Sequence, residues 1–191
     1  GFPEVHAAEL SVNAPLLRDV ATAVADGVPT VAECAGMLYL AETLDDHPMV
    51  GALPARAAMG RRLTLGYREA TSLVDSVLGP AGTRVAGHEF HRTVTDPPFG
   101  ASAAWDLGGR TEGFALDPAG TGRATLVASY LHTHWAGHPR LAQRGEAVGG
   151  QPDHRRLDRR VPGPARRPAR HRPGRPRVAG PQAGPPLGTA G

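Results

Sequence analysis

The feature that most restricts the fold is a short apolar run at 28–32 that ends on Glu33-Cys34-Ala35-Gly36 and passes at once into Met37, Leu38, Leu40, Ala41 and Leu44. A brief β-branched run reads as a strand, and apolar residues recurring every three to four positions read as a helix. The small residues after Cys34 permit a sharp elbow between the two. Ahead of this unit, Leu16, Leu17, Val20, Ala21 and Val24 mark a surface helix over 13–25, closed by Asp26-Gly27 where a C-terminal glycine belongs. After His47-Pro48 the pattern changes, and strands are expected at 61–73, 84–93, 113–116 and 124–131, separated by Gly and Pro clusters. A helix–strand–helix opening followed by a strand-rich remainder predicts an α/β domain with a mixed sheet.

With 191 residues the chain has room for one domain, taken as 1–146, and a tail at 147–191. Gly1-Phe2-Pro3-Glu4 is a turn sequence that a buried parallel strand would normally precede, so the domain is expected to be incomplete at its N-terminus. The net charge of +3 hides two unlike parts: 151–191 holds 10 of the 21 arginines and 2 of the 18 acidic residues, leaving that stretch at +8 and the rest at −5. The tail is rich in Arg, Pro and Gly and too poor in large apolar residues to offset the entropy of ordering, and is expected to be disordered. Out-of-frame translation of GC-rich DNA yields the same mixture, a reading preferred here to an arm for RNA or an acidic partner. Lysine is absent throughout, which points to arginine-biased coding, and no nucleic-acid partner is expected. A single cysteine excludes an internal disulfide and the zinc spacings that need several, so a cytoplasmic setting and no metal are expected. No apolar run approaches the roughly 20 residues that span a bilayer, and no membrane association is expected.

Cys34 is the first candidate for chemistry. At a strand-to-helix elbow its side chain would stand above the sheet edge, with the first turn of the helix favouring the thiolate. A lone cysteine in an apolar run is more often a buried structural residue, and the residues alone leave both readings open. A thiol nucleophile needs a proton acceptor and donor. Ser129-Tyr130-Leu131-His132-Thr133-His134-Trp135 offers His132 or His134, which are expected to point to opposite faces of an extended segment, so that only one would reach the thiol. His88-Glu89-Phe90-His91 lacks the helical spacing of a zinc motif and sits on an expected strand, where its side chains could shape a site rim. There is no phosphate loop and no lysine to complete one.

Taken together, Gly1-Phe2-Pro3-Glu4, Ala32-Glu33-Cys34-Ala35-Gly36-Met37-Leu38-Tyr39-Leu40, Leu65-Gly66-Tyr67-Arg68, Gly87-His88-Glu89-Phe90-His91 and Tyr130-Leu131-His132-Thr133-His134-Trp135 resemble one family. They are similar, over about residues 1–144, to the C-terminal glutamine amidotransferase domain of cobyrinate or hydrogenobyrinate a,c-diamide synthases. The resemblance implies a class I glutamine amidotransferase-like, flavodoxin-like three-layer fold. It implies Cys34 as the nucleophile that attacks the glutamine amide and His132 as the group that activates the thiol and protonates ammonia. Gly1, Phe2, Pro3 and Ala35 would provide oxyanion or glutamine contacts, and Tyr67, Arg68, His88, His91 and His134 are candidate substrate or rim contacts. It further implies L-glutamine as substrate, and a corrinoid reached through an N-terminal domain that uses ATP and Mg2+. No cofactor is assigned to this chain itself.

Related triad amidotransferases carry an acid two residues after the histidine, where this chain has His134, so a Cys–His pair is implied and the group that orients His132 is left open. Cobyric acid synthase is the nearest rival reading, although Thr133 stands where its glycine is typical. The a,c-diamide synthase acting on nickel sirohydrochlorin shares the motifs. A non-catalytic amidotransferase-like binding module is the alternative of a different class.

Overall fold

The computed structural model of the chain describes residues 2–141 and 143. Gly1 and the expected tail at 147–191 lie outside the described residues. A 3-10 turn, Pro3–Val5, leads into α1 (Ala7–Ser11) and α2 (Ala14–Ala25). The elbow unit follows as β1 (Thr30–Glu33) and α3 (Ala35–Leu40), then β2 (Thr43–Leu44) and β3 (His47–Pro48). A long hairpin of β4 (Arg56–Ser72) and β5 (Arg84–Asp96) comes next, then β6 (Trp105–Asp106), β7 (Thr111–Glu112), β8 (Phe114–Leu116), β9 (Leu126–Ser129) and β10 (His132–Thr133). A second 3-10 turn spans Trp135–Gly137.

Local chemistry sets these bounds. The Asn13 side chain accepts the Leu16 N–H at 3.3 Å and Pro15 lies in the first turn of α2, so donors left free at a helix start are satisfied or missing there. Gly27 ends the helix at φ +77°, a left-handed conformation that glycine adopts without steric cost. The apolar spacing predicted a helix running on to Leu44. Instead α3 stops at Leu40, and Leu44 is buried from β2, which pairs in parallel with β4.

The strands form two sheets. In the first, β9 lies between β1, which it pairs in parallel, and β8, which it pairs antiparallel. The second has seven strands ordered β10-β5-β4-β2-β3, with β6 and β7 attached beside β4. The α/β class and mixed pairing are therefore present, spread over two sheets. Alternation along β8 and β9 fixes the layering: Phe114, Leu126 and Ala128 join a core with Ala7, Val24, Met37, Leu38 and Leu40 from the helices. Ala115 and Val127, from the opposite face, join a second core with Ala70, Val85 and Trp105 of the larger sheet. The small sheet is the middle of three layers, with helices on one side and the large sheet on the other.

The interior face of β5 is polar at its centre, where Glu89, Thr93 and Thr95 are buried. Glu89 is fully buried and meets Arg68 Nε at 2.5 Å and an Arg110 Nη at 2.6 Å, with His91 Nε2 at 3.6 Å. Burial works against its charge, but the His91 ring and the two guanidinium groups overcome this and hold the carboxyl at about 2. Glu112 is also buried; its Oε1 accepts the Tyr130 N–H at 2.8 Å. Burial dominates here and pushes the carboxyl up to about 7.

Two predictions follow from this interior. Glu112 holds a proton in the folded chain that an unfolded carboxyl, ordinarily near 4.5, has already released, so its contribution to stability declines as pH rises from about 4.5 to about 7. Glu112→Gln keeps an acceptor for Tyr130 and removes the titration. Urea unfolding across that window should therefore show the variant gaining on the parent as pH rises, and a constant difference would mean that Glu112 is ionised inside. At Gly87 an added Cβ would fall on the His132 carbonyl oxygen and 2.9 Å from a Leu131 methyl. Gly87→Ala should cost about 1–3 kcal/mol in the same assay as β10 is forced from β5.

Candidate active site

The elbow is built by pairing and by backbone strain. β1 runs parallel to β9 with Glu33 opposite Ser129, and the Cys34 N–H donates to the Ser129 carbonyl at 2.7 Å. Cys34 then turns at φ 47°, ψ −100° and caps α3. Positive φ is rare for a side-chain-bearing residue and costs of order 1–3 kcal/mol, so it persists where surrounding structure enforces it. The enforcing elements are the β1–β9 pair behind the turn and α3 ahead of it, the strand–nucleophile–helix arrangement of an activated nucleophile.

His132 arrives from the other member of that strand pair. The chain leaves β9 at Ser129, crosses through Tyr130 and Leu131, and enters the large sheet as β10 with His132 opposite His88. Two carboxylates pin the crossing: Glu112 accepts the Tyr130 N–H, and Glu33 Oε1 accepts the Thr133 N–H at 2.9 Å. Glu33 immediately precedes Cys34, and Thr133 immediately follows His132, so one hydrogen bond couples the Cys34 strand to the His132 segment. Among the described residues, no hydrogen bond joins the thiol itself to an imidazole.

The electrostatics favour uncharged partners. Burial pushes the Cys34 thiol up; the Ala35 N–H works in the opposite direction but is outweighed, and Glu4 and Glu33 add to the rise. The expected thiolate-favouring effect of the helix start is thus present and overridden. Burial, with His88 next, pushes the His132 imidazole down. Both shifts favour the neutral form of the group concerned, the thiol at Cys34 and the imidazole at His132.

His132 stacks on His88, with centroids 4.9 Å apart and planes 9° off parallel. His88 Nδ1 lies 3.2 Å from His134 Nε2, and Tyr67 meets His134 edge-on at 5.9 Å. His132 and His134 were expected to divide between faces. Positions i and i+2 of an extended segment share a face, and both imidazoles meet His88. Tyr67, His88 and His134 line a cavity of about 450 Å³ with Leu65 and Gly66.

Other expected contacts are placed elsewhere. Arg68 is committed to Glu89, and an Nη donates to the Tyr67 carbonyl at 3.0 Å. His91, on the opposite face of β5 from His88, stacks on Tyr130 at 3.6 Å and bonds the Thr93 carbonyl through Nδ1 at 2.8 Å. Both side chains are thus engaged by neighbouring groups of the protein. Phe2 is exposed and Pro3 is buried in the first turn; proline has no N–H, so the candidate donors for an oxyanion are Phe2 and Ala35. Glu33, Arg110 and Glu112 were not anticipated, and Glu89, expected among side chains that could shape a rim, is fully buried. Glu33 carried one signal, an acid inside an otherwise apolar strand-to-helix run.

The pattern that defines the CobB/CobQ-like glutamine amidotransferase domain matches residues 1–140. The hydrogenobyrinate a,c-diamide synthase of Thermobifida fusca is 55% identical over 149 residues, 78% of this chain and 31% of the relative. That of Streptomyces coelicolor is 52% identical over 147 residues, 75% of this chain and 29% of the relative. The cobyrinate a,c-diamide synthase of a Synechococcus strain is 46% identical over 148 residues, 75% of this chain and 32% of the relative. The chain thus spans about a third of the length of these curated relatives. With a nucleophile elbow and a histidine coupled to it through Glu33, the chain belongs to the CobB/CobQ-like glutamine amidotransferase family.

Proposed function

We propose that this chain is the glutamine-hydrolysing part of a ligase that amidates the a and c acetate carboxylates of hydrogenobyrinate or cobyrinate, with ammonia released at Cys34. The observation that carries the reading is the strained elbow at Cys34, tied to the His132 segment by the Glu33–Thr133 hydrogen bond. Similarity to hydrogenobyrinate and cobyrinate a,c-diamide synthases supports the acceptor. In this reading ATP and Mg2+ activate the acceptor carboxylate in the remainder of the longer protein, and L-glutamine is the ligand of the present chain.

The chemistry follows from the groups at hand. His132 takes the thiol proton as sulfur attacks the side-chain carbonyl carbon of glutamine, and the oxygen becomes an oxyanion met by the Ala35 and Phe2 N–H groups. The intermediate collapses, the C–N bond breaks, and His132 returns the proton to the departing nitrogen, giving ammonia and a γ-glutamyl thioester. Water, deprotonated by His132, then attacks the thioester to give glutamate and free thiol. The depressed imidazole matters here, because a base already protonated at neutral pH could not start the cycle.

Glutamine hydrolysis should vanish in Cys34→Ala and fall about 10²–10⁴-fold in His132→Asn, measured on this chain alone and mixed with the separately expressed ATP-binding domain of a relative. A glutamine-mimicking electrophile should label Cys34, and failure to label the folded chain would favour a non-catalytic binding module. As pH falls, His132 gains a proton and activity declines; the inflection in kcat/KM should lie below the ordinary histidine value of 6.5. Activity that survives Cys34→Ala would remove this residue from the mechanism.

A further inference from the structure

A base that takes a proton and later returns it works along a defined line, so the plane of the His132 ring matters as much as its basicity. Little around the ring fixes that plane. His132 stands on β10, a two-residue strand at the edge of the large sheet. Among the described residues, where the histidines at 6, 88, 91, 134 and 138 all use a ring nitrogen, the His132 ring forms no hydrogen bond and no ion pair. Glu33 acts on the imidazole electrostatically, but its hydrogen bond goes through Oε1 to the Thr133 N–H.

What the ring does meet is the face of His88, 4.9 Å away between centroids and 9° from parallel. His88 is itself well held. It lies in the interior of β5, with Tyr67 of β4 opposite it on one side and His132 of β10 on the other. Its Nδ1 is 3.2 Å from His134 Nε2. A bond between two imidazole nitrogens needs one protonated and the other bare, so it orients both rings and lets the pair carry at most one positive charge. His134 is anchored in turn, since its backbone N–H donates to the Ala86 carbonyl at 3.0 Å and the Tyr67 ring meets it edge-on. Gly87 makes the close approach possible, because a Cβ there would fall on the His132 carbonyl oxygen. Stacking sets ring faces together and does not converge nitrogens on one point, and among the described residues no cluster is disposed to hold a metal ion.

We propose that His88 is the positioning residue for His132, its ring face, steadied by His134, holding the imidazole in the plane from which it serves as base. The assignment rests on the glutaminase reading above and supplies the group which that reading leaves open, the one that orients the histidine. His88 acts through His132 and takes no proton itself. Stacking depends on a flat ring and not on a ring nitrogen, so phenylalanine at position 88 keeps the essential contact and alanine does not. Asparagine keeps a hydrogen-bonding group toward His134 and loses the aromatic face.

The test is glutamine hydrolysis by the full chain and its His88→Ala, His88→Asn and His88→Phe variants, read beside the ring-proton NMR signals of His132, which are assigned by their absence in His132→Asn. His88→Ala and His88→Asn should lower kcat about ten- to a hundredfold, the scale of a small misplacement at a reacting group, with KM unchanged. His88→Phe should recover most of that loss. The His132 ring protons, shielded by the stacked ring in the parent and in His88→Phe, should move downfield in the other two variants. The dispersed amide spectrum of each variant reports that it is folded. An unchanged kcat in His88→Ala would overturn the assignment, as would a loss in His88→Phe as large as in His88→Ala. A rise in KM at constant kcat would make His88 a substrate contact instead, and His132 signals that stay in place while activity falls would show that His88 acts by another route. If the parent chain hydrolyses no glutamine yet its His132 signals move with His88→Ala, the glutaminase reading falls and takes the positioning role with it, leaving the stack as a support of the sheet alone.

Discussion

Parallel pairing of β1 with β9 is the constraint on which the rest of the site depends. It brings two strands distant in sequence to a common end, one turning into α3 at Cys34 and the other crossing to the large sheet at His132. Neither segment has the length to hold such a geometry alone, since each strand has only four residues. The pair is stable because β9 is buried on both faces, by the helical core through Leu126 and Ala128 and by the larger sheet through Val127. Thus the layering of the domain and the placing of the Cys34 and His132 segments at one end of the small sheet have one cause.

Around that pair the crossing segment and the interior are held by acidic side chains. Glu33 and Glu112 each accept a backbone N–H from the crossing segment, and Glu89 gathers Arg68 and Arg110 beneath it. Several buried polar atoms close by accept or donate no hydrogen bond among the described residues, among them Glu112 Oε2 and the Tyr130 hydroxyl, while Glu89 Oε1 and His91 Nε2 face each other at 3.6 Å. Apolar side chains of equal volume would often be at least as stable there. What the acids supply is direction: a carboxylate fixes where an N–H points, whereas an apolar contact leaves the segment free to slide.

Much of the scaffold was legible in the sequence because periodicity reports burial. The helix expected at 13–25 is found at Ala14–Ala25, and the strands expected at 61–73 and 84–93 are found at Arg56–Ser72 and Arg84–Asp96, paired as a hairpin. The two-residue strands β2, β3, β6, β7 and β10 were not legible, since two positions establish no period. Leu44 misled because an apolar residue at helical spacing was buried by a strand instead. The buried acids were invisible for a related reason, as pattern reading assigns charge to the surface unless a partner is in view, and Arg110 lies 21 residues from Glu89. Cys34 and His132 stood out from motif and resemblance; the stacking of His132 on His88 did not, because cross-strand neighbours are set by a register that sequence spacing leaves unspecified.

The backbone at Cys34 sits in a region that L side chains rarely adopt. Glycine alone occupies it without steric penalty, so a lineage selected only for a durable fold would drift toward glycine at this position and lose the thiol. A thiol at position 34 is thus carried against the preference of its own backbone, and Cys34→Gly is the one exchange that would remove the sulfur and the strain together.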